Sequence, residues 1–157
     1  MQKWLFLGCA LLALAGSAQA GSPAIYEKSV KGDLAGTYDR VYKALEDNDF
    51  YVIFEPNIGE NLAKFAEQWG DDYNRNKLEG IRGMVFCNGD YANAMSNADP
   101  TMLALCPLHI TLTQKAGSTT VLFVRPSVVA KGSKAAKLAK EIEIAVIKAI
   151  ESGLHAK

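Results

Sequence analysis

A segment of alternating hydrophobicity, joined by a short turn to a second predicted strand, constrains the fold of this chain most strongly. In residues 108–113, apolar and polar side chains alternate one by one, Leu108, Ile110 and Leu112 against His109, Thr111 and Thr113. Successive side chains of a strand point to opposite faces, so this pattern predicts a strand with one buried face. The turn at Lys115-Ala116-Gly117-Ser118 then leads into a second strand, residues 119–124, and predicts an antiparallel hairpin.

A long amphipathic helix is predicted to follow this hairpin. Ser133 is a candidate N-cap, and Gly153 is a candidate end of the helix. Between them, apolar residues recur at helical spacing and form a wide stripe: Leu138, Ile142, Ala145, Val146, Ala149 and Ile150. We expect this stripe to cover one face of the sheet.

The first half of the chain mixes strand and helix patterns without regular alternation. Strands are predicted at residues 24–30, 50–54 and 81–87, and helices after the candidate caps Asp33, Asn57 and Asn88. The helix after Asn57 has one predicted apolar face, formed by Leu62, Phe65, Ala66 and Trp69. The polar stretch 70–77 predicts a surface loop. Because a doubly wound parallel sheet needs regular strand–helix alternation, the pattern favours an α+β fold. We expect a mostly antiparallel sheet with the first and last helices packed on one face, closed by the long C-terminal helix.

The first twenty residues have the pattern of a cleavable signal peptide. Lys3 is followed by an uncharged apolar run, Trp4 to Ala15, and Ala18-Gln19-Ala20 has the small-x-small pattern of a cleavage site. A lipoprotein signal ending at Cys9 would leave too short an apolar core. We therefore expect a periplasmic or secreted protein whose single α+β domain spans residues 21–157, with no membrane segment after cleavage.

The charge balance of the predicted mature chain argues against nucleic acid as a partner. Removal of Lys3 leaves 16 basic and 17 acidic residues, with no basic run. Binding of a polyphosphate strand depends on clustered Lys and Arg side chains that release counterions. The partner is therefore expected to be a small molecule or a protein.

Several short motifs of the chain resemble a bacterial family catalogued as domain of unknown function 302. They are Val85-Phe86-Cys87-Asn88, Asp99-Pro100, Cys106-Pro107 and Glu141-Ile142-Glu143, and the resemblance spans roughly Ile25 to Leu154. It implies a small α+β domain with a helix-grip or TBP-like sheet and no established biochemical role. The chain departs from the family pattern at Cys87-Asn88-Gly89, where Cys-Asn-Pro is usual, and at Leu105-Cys106-Pro107, where Leu-Pro-Cys is usual.

Cys87 and Cys106 are the two cysteines of the predicted mature chain, and three kinds of chemistry suit them. If the strand ending at Cys87 lies antiparallel to the strand beginning near Cys106, their sulfur atoms become neighbours. In an oxidising compartment that proximity favours a disulfide, and closing a loop of this length would stabilise the fold by about 3 kcal/mol.

Two other uses of these cysteines remain open. Reduced thiols could join Met95, Met102 and His109 in a site for a soft metal. Alternatively, the pair could exchange disulfides, because Cys87 precedes a predicted helix N-terminus, where exchange-active thiols are often found.

No catalytic constellation stands out, so an enzyme is the weaker hypothesis, and no catalytic residue, metal ligand or cofactor is assigned. We expect instead a binding or interaction domain with a groove between the sheet and the closing helix. The predicted binding residues are Cys87, Asn88, Tyr91, Cys106, His109 and Tyr73. The alternative is a thiol-based redox or soft-metal-handling protein centred on Cys87 and Cys106. An exposed sheet edge or face would also suit a homodimer.

Overall fold

A computed structural model describes residues 22–156, which form one antiparallel sheet with helices. The five strands are β1 (Ile25–Lys31), β2 (Tyr51–Phe54), β3 (Gly80–Cys87), β4 (Leu108–Lys115) and β5 (Ser118–Val124). Their order across the sheet is β1-β5-β4-β3-β2, and every neighbouring pair is antiparallel. The predicted α+β class with a mostly antiparallel sheet is therefore confirmed. The predicted signal peptide lies outside the described residues.

The helices complete the second layer of the fold. They are α1 (Leu34–Glu46), α2 (Ile58–Ala63), α3 (Ala66–Trp69), α4 (Gly89–Ala98), α5 (Pro126–Val129) and α6 (Ala136–His155), with short 3₁₀ helices at Gly70–Asp72 and Pro100–Leu105. Among the described residues, no helix has the length and apolar character needed to cross a membrane.

The core lies between the helices α1 and α6 and one face of the sheet. In the central strands the predicted apolar set, such as Ile110 and Leu112 of β4, is fully buried, as are Val121 and Phe123 of β5. The period-2 pattern of β4 thus places its apolar face against the helices. The closing helix predicted from the apolar stripe is confirmed as α6.

Gly153 does not end this helix, contrary to the sequence-based expectation. It lies inside α6, where an added Cβ would approach the carbonyl oxygen of Arg40 and the Cα of Val41 to 2.8 Å. Gly153 therefore permits close packing of α6 on α1, and the helix continues to His155. The helix also begins two residues later than its predicted cap requires, with the hydroxyl of Ser133 accepting from the amide of Ala135 at 3.0 Å.

The predicted helix after Asn57 is divided into α2 and α3. Its predicted apolar face, which includes Leu62, Phe65 and Trp69, stays 37%, 48% and 40% exposed. Neither short helix contains a buried residue. Because helices in proteins derive most of their stability from packing of an apolar face, a segment without such packing lacks the force that would keep it continuous.

Candidate functional site

The sulfur atoms of Cys87 and Cys106 lie 3.4 Å apart, where β3 ends and β4 is about to begin. The predicted proximity of the two sulfurs is therefore observed. Both thiols are unbonded and partly exposed, and one donates a weak hydrogen bond to the other. Burial, followed by the hydrogen bond with Cys87, raises the pKa of the Cys106 thiol to about 11. This thiol therefore stays protonated at neutral pH.

Local capping interactions position the two cysteines. The side chain of Asn88 accepts a hydrogen bond from the amide of Tyr91 at 2.9 Å and so starts α4 directly after Cys87. Asp99 then caps the following 3₁₀ helix through the amide of Thr101 at 3.1 Å. That helix ends at Leu105, and the next residue, Cys106, is joined to Pro107 by a cis peptide bond. The caps Asn88 and Asp99 thus form the two helices that bring Cys106 back beside Cys87 within twenty residues.

The two cysteines line a small cavity, which we call the cysteine cavity, with a volume of about 30 Å³. Besides Asn88, its walls are apolar or sulfur-containing side chains: Phe50, Tyr91, Ala92, Met95, Met102, Leu105, Leu108, Pro126 and Ile142. The ring of Tyr91 stacks on Phe50 at a centroid distance of 6.0 Å. This volume corresponds to about one water molecule, so the cavity is too small for an organic ligand.

One buried carboxylate holds the wall of the cysteine cavity in place. Glu143 of α6 is 1% exposed and accepts hydrogen bonds from the Arg125 side chain, at 2.9 Å, and from the Lys140 ammonium, at 2.8 Å. It also accepts from the amide and hydroxyl of Ser127. Burial alone would raise the Glu143 pKa, but these donors outweigh it and lower the pKa to about 2. The ionised carboxylate therefore fastens α5 to α6.

A second and larger space lies at the opposite end of β3. It is bounded by the inserted segment, residues 57–79, and by the first residues of β3, and we call it the insertion groove. Its volume is about 690 Å³. Apolar side chains on its lining include Leu34, Leu62, Trp69, Leu78 and Ile81, and polar ones include Asn57, Tyr73, Arg75 and Asn76. Its charged lining is close to balanced, with Glu60, Asp72 and Glu79 against Arg75 and Arg82.

Close backbone contacts seat the inserted segment on β3. An added Cβ at Gly59 would lie 3.1 Å from the amide nitrogen of Ile81, and one at Gly83 would lie 2.9 Å from the ring of Pro56. The amide of Gly83 donates to the carbonyl of Pro56 at 2.9 Å. These glycines allow α2 to lie directly on the strand, and the rest of the segment projects beyond it.

Arg82 connects the groove wall to the core. Its guanidinium lies 3.7 Å from the ring centroid of Tyr38 and 3.8 Å from a carboxylate oxygen of Glu55. The Tyr38 hydroxyl donates to Glu55 at 2.7 Å. Burial, followed by this hydrogen bond, raises the pKa of Tyr38 well above its usual value. Arg82 is therefore held in place by contacts within the protein.

The structure brings together only part of the predicted set of binding residues. Cys87, Asn88, Tyr91 and Cys106 line the cysteine cavity, whereas Tyr73 lines the insertion groove. His109 pairs with Val85 and lies on the sheet face opposite to Leu108 and Ile110, away from the helices. The expectation that Tyr73, Tyr91, Asn88 and His109 edge a single groove under the closing helix is thus corrected. The alternation within β4 already placed His109 on the other face.

A shallow depression does lie between Asn88, Tyr91 and the closing helix. Its volume is about 370 Å³, and it reaches Ala145 and Lys148 of α6. Most of its remaining lining is polar, from Asn48, Asp49 and Asp90. Because sites for small molecules are lined mainly by apolar side chains, the insertion groove is the better candidate.

The sequence-based analysis missed the main residues of the insertion groove. Leu62 and Trp69 were assigned to an apolar helix face, and Ile81 and Arg82 to a strand. The available signal was an amphipathic segment of about twenty residues between two strands with no further helix to cover it. The apolar face of such a segment either packs on the core or stays exposed, where a ligand or another protein could contact it.

Comparison with known proteins agrees with the fold. A family model described as domain of unknown function DUF302 matches residues 26–153. The chain is also similar to a solved structure, an uncharacterised conserved DUF302 protein from Bacillus stearothermophilus, with 18% identity and a TM-score of 0.71. The alignment covers 83% of this chain and 98% of that protein. No curated protein matches the chain. The chain belongs to the family of domain of unknown function DUF302.

Proposed function

We propose that this protein is a periplasmic or secreted binding domain. Its insertion groove would bind a small amphipathic molecule. The compartment rests on the signal-peptide pattern of residues 1–20. The site rests on one observation, the volume of about 690 Å³ between the inserted segment and β3. Sites for small molecules usually enclose about 300–1,000 Å³.

The character of the groove lining supports an amphipathic ligand. Leu62 and Trp69 of the lining leave large parts of their apolar surfaces exposed. Phe65, which lies outside the lining, stacks on Trp69 at 5.2 Å. A ligand that covers Leu62 and Trp69 would remove this surface from water, which favours binding. Since the charged lining is nearly balanced, a neutral or zwitterionic molecule fits better than a polyanion.

Trp69 provides a direct test of this proposal. Trp4 lies in the predicted signal peptide, so Trp69 is the one tryptophan of the predicted mature chain, and it lines the groove. We expect 8-anilinonaphthalene-1-sulfonate, used as an amphipathic probe, to quench Trp69 by energy transfer. Leu62→Gln should weaken this binding about three- to sixfold, because full burial of a Leu side chain contributes about 1.5–3 kcal/mol and 37% of Leu62 is exposed.

A matched control distinguishes binding of the probe in the groove from nonspecific binding to other exposed apolar residues. Ile144 of α6 is 55% exposed and is not part of the groove lining. Ile144→Gln should leave the probe affinity unchanged. Equal binding by both variants, or no binding by the wild type, would refute the proposed site.

A second candidate function is thiol–disulfide exchange, and it is favoured by the 3.4 Å contact between the sulfurs. In such a reaction the two thiols would give two electrons and two protons to a partner disulfide, which becomes a dithiol. Equilibration of the protein with glutathione buffers would measure the reduction potential of the pair. A pair that stays fully oxidised in every buffer behaves as a structural disulfide instead.

A further inference from the structure

We propose that the four sulfur atoms around the cysteine cavity form a binding site for a soft monovalent cation, of which Cu(I) is the physiological example. The donors are the thiols of Cys87 and Cys106 and the thioethers of Met95 and Met102. This inference is independent of the insertion groove, which lies at the other end of β3.

The four sulfur-bearing side chains converge from separate elements. Cys87 ends β3, Met95 lies on α4, Met102 lies on the 3₁₀ helix, and Cys106 follows it. All four line the same cavity. The predicted mature chain has one further methionine, Met84, which lies in the core and not in this lining. Two of three methionines are thus placed beside the only two cysteines of the predicted mature chain.

The distance between the thiols suits chelation of a metal ion. Two thiolates at a metal–sulfur distance of about 2.3 Å and a tetrahedral angle would be separated by about 3.8 Å. The observed separation is 3.4 Å, so binding requires a movement of a few tenths of an ångström. The cavity volume of about 30 Å³ accommodates one ion and little else.

The donor set selects the class of metal. Thiolate and thioether ligands prefer Cu(I), whereas carboxylates and carbonyls suit harder ions such as Mg²⁺ and Ca²⁺. No group of three or more His, Cys, Asp and Glu side chains that could hold a metal exists within residues 22–156. His109, on the far face of the sheet, does not join the set. Besides the four sulfur-bearing side chains, the lining offers only the neutral oxygens of Asn88 and Tyr91, and the Asn88 oxygen already accepts from the Tyr91 amide.

Binding and disulfide formation compete for the same thiols. Coordination of Cu(I) forms two sulfur–copper bonds and releases the two thiol protons to solvent, with no change of oxidation state. Oxidation by a disulfide-forming partner instead removes two electrons and two protons and joins the sulfurs. The binding experiment must therefore begin with the reduced protein under anaerobic conditions.

The test is a competition between the reduced, predicted mature chain and the Cu(I) chelator bathocuproine disulfonate. We expect one Cu(I) per chain. Loss of a partner in the outer shell of a metal site commonly costs about 10–100-fold in affinity, so loss of a direct ligand should cost about tenfold or more. Met95→Leu and Met102→Leu should each show this loss, and Cys87→Ser should abolish stoichiometric binding.

Met84→Leu is the matched control, since it makes the same change in a buried methionine outside the cavity. Its Cu(I) affinity should equal that of the wild type, and circular dichroism should report the same fold for all three Leu variants. Failure of the wild type to bind one Cu(I) would overturn the proposal. Unchanged affinity in both Met95→Leu and Met102→Leu would also overturn it, because the thiols alone would then account for binding.

A second measurement identifies the side chains that coordinate the metal ion. It uses the wild-type protein, so it does not depend on the stability of any variant. Ag(I) is a redox-stable soft monovalent cation, and the methyl resonances of the methionines can be followed by NMR as it is added. The proposal requires that the methyl signals of Met95 and Met102 move while the Met84 signal stays. Signals that all remain fixed, or that all move equally, would contradict a four-sulfur site.

Discussion

The cysteine cavity at the end of β3 is small and walled by buried and partly buried side chains, whereas the insertion groove at its start is wide and lined largely by exposed ones. Ile81 and Cys87 are six positions apart on one strand, a distance of about 20 Å. The first region is built on the core, through Phe50, Met95 and Ile142. The second rests on β3 through Gly59 and Pro56 and contributes no buried residue of its own in α2 or α3.

This difference separates stability from binding. Side chains around the cysteine cavity are expected to hold the fold together, and a site there can accept only an ion. Side chains around the insertion groove contribute little to the core, so they remain free to contact a ligand. Substitutions in the two regions should therefore affect different measurements.

The largest difference in unfolding free energy should come from replacing one phenylalanine in each region with alanine. Phe50 is 1% exposed and packs on Phe86 and Tyr91. Phe50→Ala should lower the free energy of unfolding by about 3–5 kcal/mol, whereas Phe65→Ala should cost less than about 1 kcal/mol, because Phe65 is half exposed. Urea denaturation measures both values. Equal losses would show that the inserted segment is as much a part of the core as the cysteine end.

Acid should weaken the cysteine end through Glu143. A carboxylate whose pKa is lowered on folding contributes stability above its unfolded pKa and loses it as the pH falls. For Glu143 this loss should occur between about pH 4.5 and about pH 2, and it should amount to about 3 kcal/mol.

Glu143→Gln isolates this contribution, since it removes the charge and keeps the shape. The variant should be less stable than the wild type at about pH 7, and the difference should shrink as the pH falls toward about 2. Glu141→Gln, an exposed position on the same helix, is the control and should follow the wild type. A stability difference between Glu143→Gln and the wild type that does not depend on pH would contradict the role given to the Glu143 charge.

The smallest effect is expected at the charged rim of the insertion groove. Asp72 pairs with Arg75 while both side chains remain 71% exposed. Exposed ion pairs contribute about 0–1 kcal/mol, so Asp72→Asn should leave the urea midpoint nearly unchanged. A loss of unfolding free energy well above that range would show that the groove rim contributes to the stability of the fold. The two regions would then not differ as proposed.

Much of the fold followed from local patterns, because the alternation in β4 and the stripe of α6 each determine which face is buried. The proximity of Cys87 and Cys106 could be inferred from antiparallel pairing of the strands that flank them. Gly153 misled the prediction because glycine serves two needs, ending a helix and allowing close approach of another helix, and sequence does not distinguish them. Only packing against Arg40 and Val41 reveals the second.

The insertion groove could not be predicted in the same way. Its walls come from residues whose apolar pattern is that of a core helix, such as Leu62 and Trp69, and which become groove residues only because no other element covers them. The sequence-based site combined Tyr73 with Tyr91 and His109 although they lie in three different places. Proximity along the chain was a poor guide where the inserted segment leaves the sheet.

The central claim is that the insertion groove holds the small-molecule ligand. Native mass spectrometry of the protein isolated from the periplasm or the culture medium would test this claim most directly. We expect an organic adduct on the wild type that persists in Cys87→Ser and Ile144→Gln and is clearly reduced in Leu62→Gln. An adduct that survives Leu62→Gln but is lost with Cys87→Ser would contradict this account and place the ligand at the cysteine end.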